Sequence, residues 1–333
     1  MSPTARGPRV LIAGALGHIG SRLIRALPAL VPGAEVWMVD NLSAGGHHCL
    51  FNLPAEGRYR FRNADVLRMD AGALLREARP EVVVNLVAIT NAPASFRQRR
   101  RVQRVNLSVV ERLAAACAEQ NVPLVHISTT SVYGAAQGMV DETVPTEDLH
   151  PESPYAQSKL QEEAHLRELG ERAGLSFAVC RFCTTCGPSP GMHFHTAANK
   201  FCWQAVMGEP ITVWRTALHQ VRPYVTLTDA VGALGFLIRE RVYDRRVYNV
   251  ATANLTVSEV LEQIRAQGLD TRVKLVDAQI MNRCSYEVST ARIEGLGFRI
   301  RGSVPQALAE TIDLLRAAGG RPPPQAKGRT KET

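Results

Sequence analysis

Five short runs of almost unbroken apolar residues, Val10–Ala13, Val36–Val39, Val82–Val87, Leu124–Ser128 and Phe177–Phe182, recur through the first half of the chain. Strands that are hydrophobic on both faces must be covered on both faces, which is the condition of a parallel sheet. Helical patterns at about 18–30, 70–78, 102–120 and 155–173 separate them. Parallel neighbours need crossover connections, and right-handed ones. The alternation therefore predicts an α/β chain built on a doubly wound parallel sheet.

The second half is less regular. Gly187 to His195 is rich in Gly and Pro and reads as a loop leaving the sheet. A helix near 197–207, a strand near 211–214 and helices near 256–266 and 304–317 suit a smaller C-terminal α/β lobe. Val225–Thr228 and Val247–Val250 read as short strands returning to the main sheet. The expected division is one domain over 8–183 with returning segments near 222–250, a lobe from 184–221 and 251–318, and a Pro-rich, basic tail over 319–333 with nothing to bury.

Strand one runs into Gly14-Ala15-Leu16-Gly17-His18-Ile19-Gly20, a GxxGxxG loop that opens a helix. Glycine serves the tight turn, the approach of a pyrophosphate to the backbone, and the helix–sheet contact. The helix N-terminus offers free N–H groups and a positive dipole end to phosphate. Three glycines alone are weak evidence, but Asp40 ends the next strand 20 residues after Gly20. A carboxylate there accepts from both adenosine ribose hydroxyls and repels a 2′-phosphate, so the pattern predicts a Rossmann domain that takes NAD rather than NADP.

Ser153 can cap a helix with Pro154 at its first position, which places Tyr155 and Lys159 one turn apart on one face. A free tyrosine, with a pKa near ~10, is no base at neutral pH. A neighbouring ammonium and a positive nicotinamide both favour phenolate, and a shift of ~3 units corresponds to about 4 kcal/mol. On this reading Tyr155 takes a hydroxyl proton, Lys159 tunes it and holds the nicotinamide ribose, and Thr129, at the end of a strand, orients the same substrate oxygen.

These motifs resemble the extended short-chain dehydrogenase/reductase superfamily, and within it the NAD-dependent nucleotide-sugar epimerase and dehydratase group. The residues carrying the resemblance run from about Arg9 to Leu315: the glycine loop, Asp40-Asn41-Leu42-Ser43, Asp65-Val66, Leu86-Val87-Ala88, Asn106, Ser128-Thr129-Thr130-Ser131-Val132-Tyr133-Gly134, Tyr155-Ala156-Gln157-Ser158-Lys159, Gly187-Pro188, Arg222-Pro223-Tyr224 and Asp229. The resemblance implies a cofactor site made of Gly14, Gly17, His18, Ile19, Gly20, Asp40, Asn41, Ser43, Asp65, Val66, Leu86, Ala88, Asn106, Tyr155 and Lys159. Asp65 and Val66 would border the adenine, and Asn106 the nicotinamide side. It also places Thr129, rather than Ser128, at the family's catalytic Ser/Thr position.

Relatives that eliminate water resemble one another in carrying Asp-Glu directly after that residue, and uronic acid decarboxylases in carrying Ser-Glu. This chain has Thr130-Ser131, and hydroxyls do not readily serve as acid and base at neutral pH. Oxidation, re-presentation of the ketone and reduction are left, which points to a nucleoside-diphosphate-sugar epimerase acting at C4. A dehydratase or decarboxylase using a carboxylate from elsewhere, or a dehydrogenase of a non-nucleotide alcohol, are the alternatives. For the substrate lobe the resemblance implies Thr130, Thr184, Asn199 and Arg222 as contacts. Thr184 departs from the family, standing where an Asn usually touches the diphosphate, and Arg222 suits that anion.

Composition narrows the partners. Hydrophobic content of 45% and charged content of 21% suit an ordinary soluble domain. No apolar run reaches the ~18–20 residues of a membrane span, and Met1 to Arg9 lacks a secretory core, so no membrane partner and a cytoplasmic location are expected. The net charge of +8 suits an anionic partner. The densest basic run, Arg97, Arg99, Arg100, Arg101 and Arg104, lacks interleaved aromatics beyond Phe96 and reads as a solvated helix entrance rather than a nucleic-acid site. Seven cysteines fit buried hydrophobes in a reducing compartment. Cys180, Cys183 and Cys186 lack a fourth ligand at finger-like spacing, so no metal is expected. The resemblance implies a homodimer through the helices near 102–120 and 155–173.

Overall fold

A computed structural model describes residues 7–277 and 285–317. The expected basic tail and Cys284 lie outside the described residues. The chain begins β1 (Arg9–Ala13), α1 (His18–Leu30), β2 (Glu35–Asp40), β3 (Arg58–Asn63), α2 (Ala71–Ala78) and β4 (Val82–Asn85). It continues through α3 (Ala92–Ser95), α4 (Arg99–Glu119), β5 (Leu124–Thr129), a 3-10 turn over Thr130–Tyr133, β6 (Gln137–Val140), α5 (Pro154–Ala173), β7 (Phe177–Phe182) and β8 (Thr184–Cys186). Then come α6 (Ala197–Val206), β9 (Ile211–Trp214), β10 (Val221–Thr226), α7 (Leu227–Arg239), β11 (Asp244–Val250) and β12 (Ala253–Thr256). The last elements are α8 (Val257–Arg265), β13 (Val273–Val276), β14 (Ser285–Val288), α9 (Ala291–Gly295) and α10 (Val304–Ala317).

Seven strands form one parallel sheet in the order β11-β7-β5-β4-β1-β2-β3. The chain winds outward from β1 to β3, then returns across β1 to β4 and winds the other way. The point of reversal lies between β1 and β4, where a doubly wound sheet opens a crevice at its carboxyl edge. Alternate residues of β1 enter opposite cores: Val10 and Ile12 pack with α1 and α7, and Leu11 and Ala13 with α2, α4 and α5. A third apolar cluster joins α6, α8 and α10 beneath a three-stranded sheet, β12-β10-β8.

The main differences from expectation are local. Val247–Val250 does lie in the main sheet, as part of β11, but Val225 belongs to β10, a strand that pairs with β8 and β12. The strand expected to run to Thr228 stops at Thr226, whose hydroxyl accepts from the Asp229 N–H and caps α7. Helix α4 starts at Arg99, so most of the arginine run sits in its exposed first turns. Among the described residues no helix is long and apolar enough to cross a membrane, and no group of His, Cys, Asp and Glu is placed to hold a metal. Cys180, Cys183 and Cys186 are buried free thiols.

Candidate active site

The glycine loop lies at the reversal point. Gly14 has φ +78°, and a Cβ there would stand 2.9 Å from the Leu86 carbonyl carbon and the Val87 nitrogen at the end of β4. At Gly20 a Cβ would meet the Gly14 carbonyl oxygen at 2.4 Å. These two glycines are demanded by the protein itself. Gly17 is not: it is exposed, and a Cβ would meet only the Gly14 oxygen, at an ordinary 3.6 Å. Gly17 is also the N-cap of α1, without a capping side chain and without an acidic residue in the first turn. A helix start that no carboxylate or hydroxyl answers, behind a residue without a side chain, suits a phosphate group.

Asp40 ties this loop to β2. Its Oδ2 accepts from the Leu16 N–H at 3.0 Å and its Oδ1 from the Leu42 N–H at 2.9 Å. Each oxygen keeps a lone pair for a ribose hydroxyl. Asn41 and Ser43 are exposed and close the turn beyond, the Ser43 N–H donating to Asn41 Oδ1 at 3.0 Å. Asp65 Oδ1 accepts from the Leu67 N–H, with Val66 buried beside it. Leu86 and Ala88 are half-buried where β4 ends. Asn106, which the resemblance sets on the nicotinamide side, is engaged within the protein. Its Oδ1 accepts from the Ile89 N–H at 2.8 Å, while its Nδ2 donates to the Ile89 carbonyl and to Ser158 Oγ. Both of its N–H groups therefore fix the loop after β4 against α5.

The loop after β8 is latched onto the glycine helix. His18 Nε2 meets the Gly187 carbonyl at 3.0 Å, Ser189 Oγ donates to the His18 carbonyl at 2.9 Å, and the Gly191 N–H donates to Ser21 Oγ at 2.9 Å. Burial drops the His18 pKa to about 4, so the ring is neutral and its bond to Gly187 is made as a donor. His193 stacks on His195 at 3.5 Å, and His195 meets Thr90 Oγ1 at 3.1 Å.

Helix α5 starts as the sequence predicts, with the Ala156 N–H donating to Ser153 Oγ at 3.1 Å and Pro154 in the first turn. Strand β5 then sorts its two terminal hydroxyls. Ser128 Oγ donates to Glu163 Oε1, and Glu163 is also clamped by Arg181 through Nε at 3.0 Å and Nη2 at 2.7 Å. Ser128 is thus committed to a buried ion pair. Thr129 Oγ1 accepts from the Ser131 N–H at 3.2 Å and keeps its own proton to donate.

Lys159 is buried, and its Nζ donates to Glu162 Oε2 at 2.8 Å. His126 of β5 brings its Nε2 within 3.0 Å of the same oxygen, out of line for a good hydrogen bond. The charge of Lys159 is therefore largely answered one turn further along its own helix. Burial first, and the Glu162 carboxylate second, push the Tyr155 hydroxyl above the ordinary tyrosine range. Among the protein's own groups, burial and the Glu162 carboxylate thus act against the lowering of Tyr155 expected from Lys159 and a bound nicotinamide. Sequence reasoning missed both Glu162 and His126. The available signal was their position: Glu162 follows Lys159 by three residues, on the helix face that carries Tyr155 and Lys159, and His126 interrupts an apolar strand.

On the lobe side, Thr130 is buried, with its carbonyl accepting from the Tyr286 hydroxyl at 2.8 Å. Thr184 is half-buried at the start of β8. Asn199 is fully buried; its Oδ1 accepts from the Gly187 N–H at 3.3 Å, and its Nδ2 has no hydrogen-bond partner among the described residues. Arg222 is half-buried on β10 and donates to Gln220 Oε1 at 2.8 Å. An orphaned buried donor costs about 1–3 kcal/mol, so Asn199 fits a site completed by a ligand acceptor.

Residues 10–251 match the model of the NAD dependent epimerase/dehydratase family. The chain is 30% identical over 315 residues to a UDP-glucose 4-epimerase of Mycolicibacterium smegmatis, covering 92% of this chain and 98% of that one. It is 28% identical over 312 residues to a dTDP-glucose 4,6-dehydratase of Streptomyces griseus, covering 91% and 92%. The crystal structure of a Thermus thermophilus UDP-glucose 4-epimerase in complex with NAD superposes with a TM-score of 0.81 at 26% identity, covering 93% of this chain and 99% of that one. With a family match across most of its length, and a glycine cradle, an Asp40 and a Tyr155–Lys159 helix in the expected places, this chain belongs to the NAD-dependent epimerase/dehydratase family of enzymes.

Proposed function

We propose that the protein is a nucleoside-diphosphate-sugar epimerase that inverts C4 through a transient keto-sugar. The observation that carries this reading is the turn after Thr129. Thr130, Ser131, Val132 and Tyr133 supply no carboxylate, whereas elimination of water would need an acid and a base beyond Tyr155, and loss of carbon dioxide a proton donor for the enolate it leaves. The uncharged turn fits a reaction whose only proton is the one on the oxidised hydroxyl.

The backbone of Gly14–Gly20 and the Asp40 carboxylate would hold the cofactor, with Lys159 on its nicotinamide ribose. NAD, when bound, supplies a reversible oxidant and a positive ring beside Tyr155. Tyr155 Oη takes the C4 hydroxyl proton as the carbinol becomes a ketone, and gives it back after the sugar has presented its other face. Thr129 donates to the same oxygen and keeps it oriented. Asn199 and Arg222 would hold the diphosphate, Arg222 as a cation suited to phosphate. The relatives' names support this class of substrate, since both the epimerase and the dehydratase act on a sugar nucleotide.

The test is incubation of the purified protein with UDP-, GDP-, CDP- and dTDP-sugars, followed by separation on mass and retention. An isomer of unchanged mass is expected. A product lighter by water or by carbon dioxide would replace this reading with the dehydratase or the decarboxylase, and accumulation of stoichiometric NADH with a plain dehydrogenase. The proposal includes a homodimer packed through the outer faces of α4 and α5. Light scattering that finds only monomer at micromolar concentration would refute that part.

A further inference from the structure

Beneath the Tyr155–Lys159 pair lies a buried polar chain that runs from sheet to helix. The Val87 N–H donates to Asn85 Oδ1 at 3.1 Å, which orients that amide with its Nδ2 toward His126 Nδ1, 3.3 Å away. Asn85 is thereby the donor and Nδ1 the acceptor, so the proton of the neutral imidazole sits on Nε2. Nε2 faces Glu162 Oε2 at 3.0 Å, and Lys159 Nζ reaches the same oxygen at 2.8 Å. Asn85, His126 and Glu162 are fully buried, and Lys159 nearly so.

We propose that Glu162, backed by His126 and Asn85, is a positioning residue: it clamps the Lys159 ammonium against the sheet and withholds part of its charge from Tyr155. The inference rests on Tyr155 and Lys159 being the working pair described above. An ammonium has three donors, and among the described residues only Glu162 takes one of Lys159's. The clamp fixes the direction of Nζ and leaves two donors for a ribose and for the tyrosine. The clamp also has a charge. With Lys159 positive, Glu162 negative and His126 kept neutral by burial and by Lys159, the group sums to zero. Tyr155 sits one turn from a neutral assembly rather than beside a bare cation, and burial first and Glu162 second hold its hydroxyl above the ordinary tyrosine range.

The charged and titratable groups facing Glu162 are few. Lys159 and Tyr155 come from its own helix, and His126 from β5. Glu163 also acts on His126 but is answered by Arg181 of β7, and α4 contributes the neutral Asn106 to this part of α5. Removing the Glu162 charge therefore leaves Lys159 acting on Tyr155 without opposition.

The test is a titration of Tyr155 in the NAD-loaded protein, read as near-ultraviolet phenolate absorbance after subtraction of the same protein carrying Tyr155→Phe. Glu162→Gln should lower the midpoint by about one pH unit, the scale of one nearby charge. Glu162→Asp keeps the charge but withdraws it, and should move the midpoint the same way by less, which provides a readout if the glutamine variant does not fold. A purely structural Glu162 would change yield or stability and leave the midpoint where it was. An unchanged or raised midpoint in the variant that folds overturns the proposal. The result is separable from the assignment of Tyr155: full turnover in Tyr155→Phe would refute the catalytic reading, whereas an unmoved titration refutes only the role of Glu162.

Discussion

Replacing Glu163 with glutamine tests how the catalytic helix is fastened to the sheet. In the native arrangement Glu163 of α5 takes two bonds from Arg181 of β7, at 3.0 and 2.7 Å, and one from Ser128 of β5, with all three side chains buried. Glutamine preserves the shape and one oxygen, which can go on accepting from Arg181 Nε and Ser128. Its amide nitrogen then faces Arg181 Nη2, donor against donor, and the guanidinium is left buried without a counter-charge. The Tyr133 ring, 5.0 Å from Arg181 Cζ, does not replace a carboxylate. Breaking one side of a buried ion pair costs about 3–5 kcal/mol. With a urea slope near the top of the ~1–3 kcal/mol/M range, the unfolding midpoint should fall by about 1 M or more. Because Ser128 immediately precedes Thr129, turnover should fall with stability. Glu163→Leu combined with Arg181→Met removes both charges and should recover most of the lost stability. A single variant losing less than about 1 kcal/mol, or a double variant no better than the single, would refute the view that the uncompensated arginine is what costs.

Asp40→Ala should narrow the preference for NAD over NADP and also weaken NAD itself by roughly tenfold or more, since the bond that holds the glycine loop at the Leu16 N–H goes with it, worth about 1.5–3 kcal/mol; calorimetric titration with both cofactors checks this, and unchanged NAD affinity would mean that the loop holds its shape without Asp40. Gly20→Ala should abolish NAD binding or folding, because its Cβ would stand 2.4 Å from a backbone oxygen, whereas Gly17→Ala should fold normally and lose cofactor affinity alone; equal thermal stability of both variants would refute the distinction. Arg222→Ala should raise the Michaelis constant for a sugar nucleotide at least ~10-fold, the loss of a charge-assisted bond, with NAD binding intact. Tyr155→Phe should cut turnover at least ~10²-fold, and Thr129→Val should fall between it and wild type.

What could be read in the sequence was whatever depends on spacing along the chain. Buried parallel strands write continuous apolar runs, a capped helix writes Ser153-Pro154, and a turn that must admit a phosphate writes glycine. Strand β3 left no such trace. Arg58–Asn63 is the edge of the sheet and mostly solvated, so its charged residues show no buried face. The length of β10 was misread because the stretch from Thr226 to Asp229 serves equally as strand end and helix start; only the bond between the Asp229 N–H and the Thr226 hydroxyl decides it.

Roles that depend on apposition across the fold were not legible. Nothing in the order of residues says that Lys159 and His126 share one oxygen of Glu162, or that the Asn106 amide donates both to the loop after β4 and to α5. The distinction matters because a polar group already satisfied inside the protein has little left to give a ligand. Of two adjacent hydroxyls on β5, Ser128 is committed to Glu163, while Thr129 retains its proton. Lys159 keeps two donors after Glu162 takes one, and Asn199 keeps its whole amide nitrogen. Thr129, Lys159 and Asn199 thus keep donors uncommitted among the described residues, and the family resemblance implies all three as site residues on other grounds. The groups overlooked there work inside the protein: Glu162, with His126 behind it, takes a donor of Lys159, and Glu163 holds Ser128 and Arg181 at the end of the neighbouring strands.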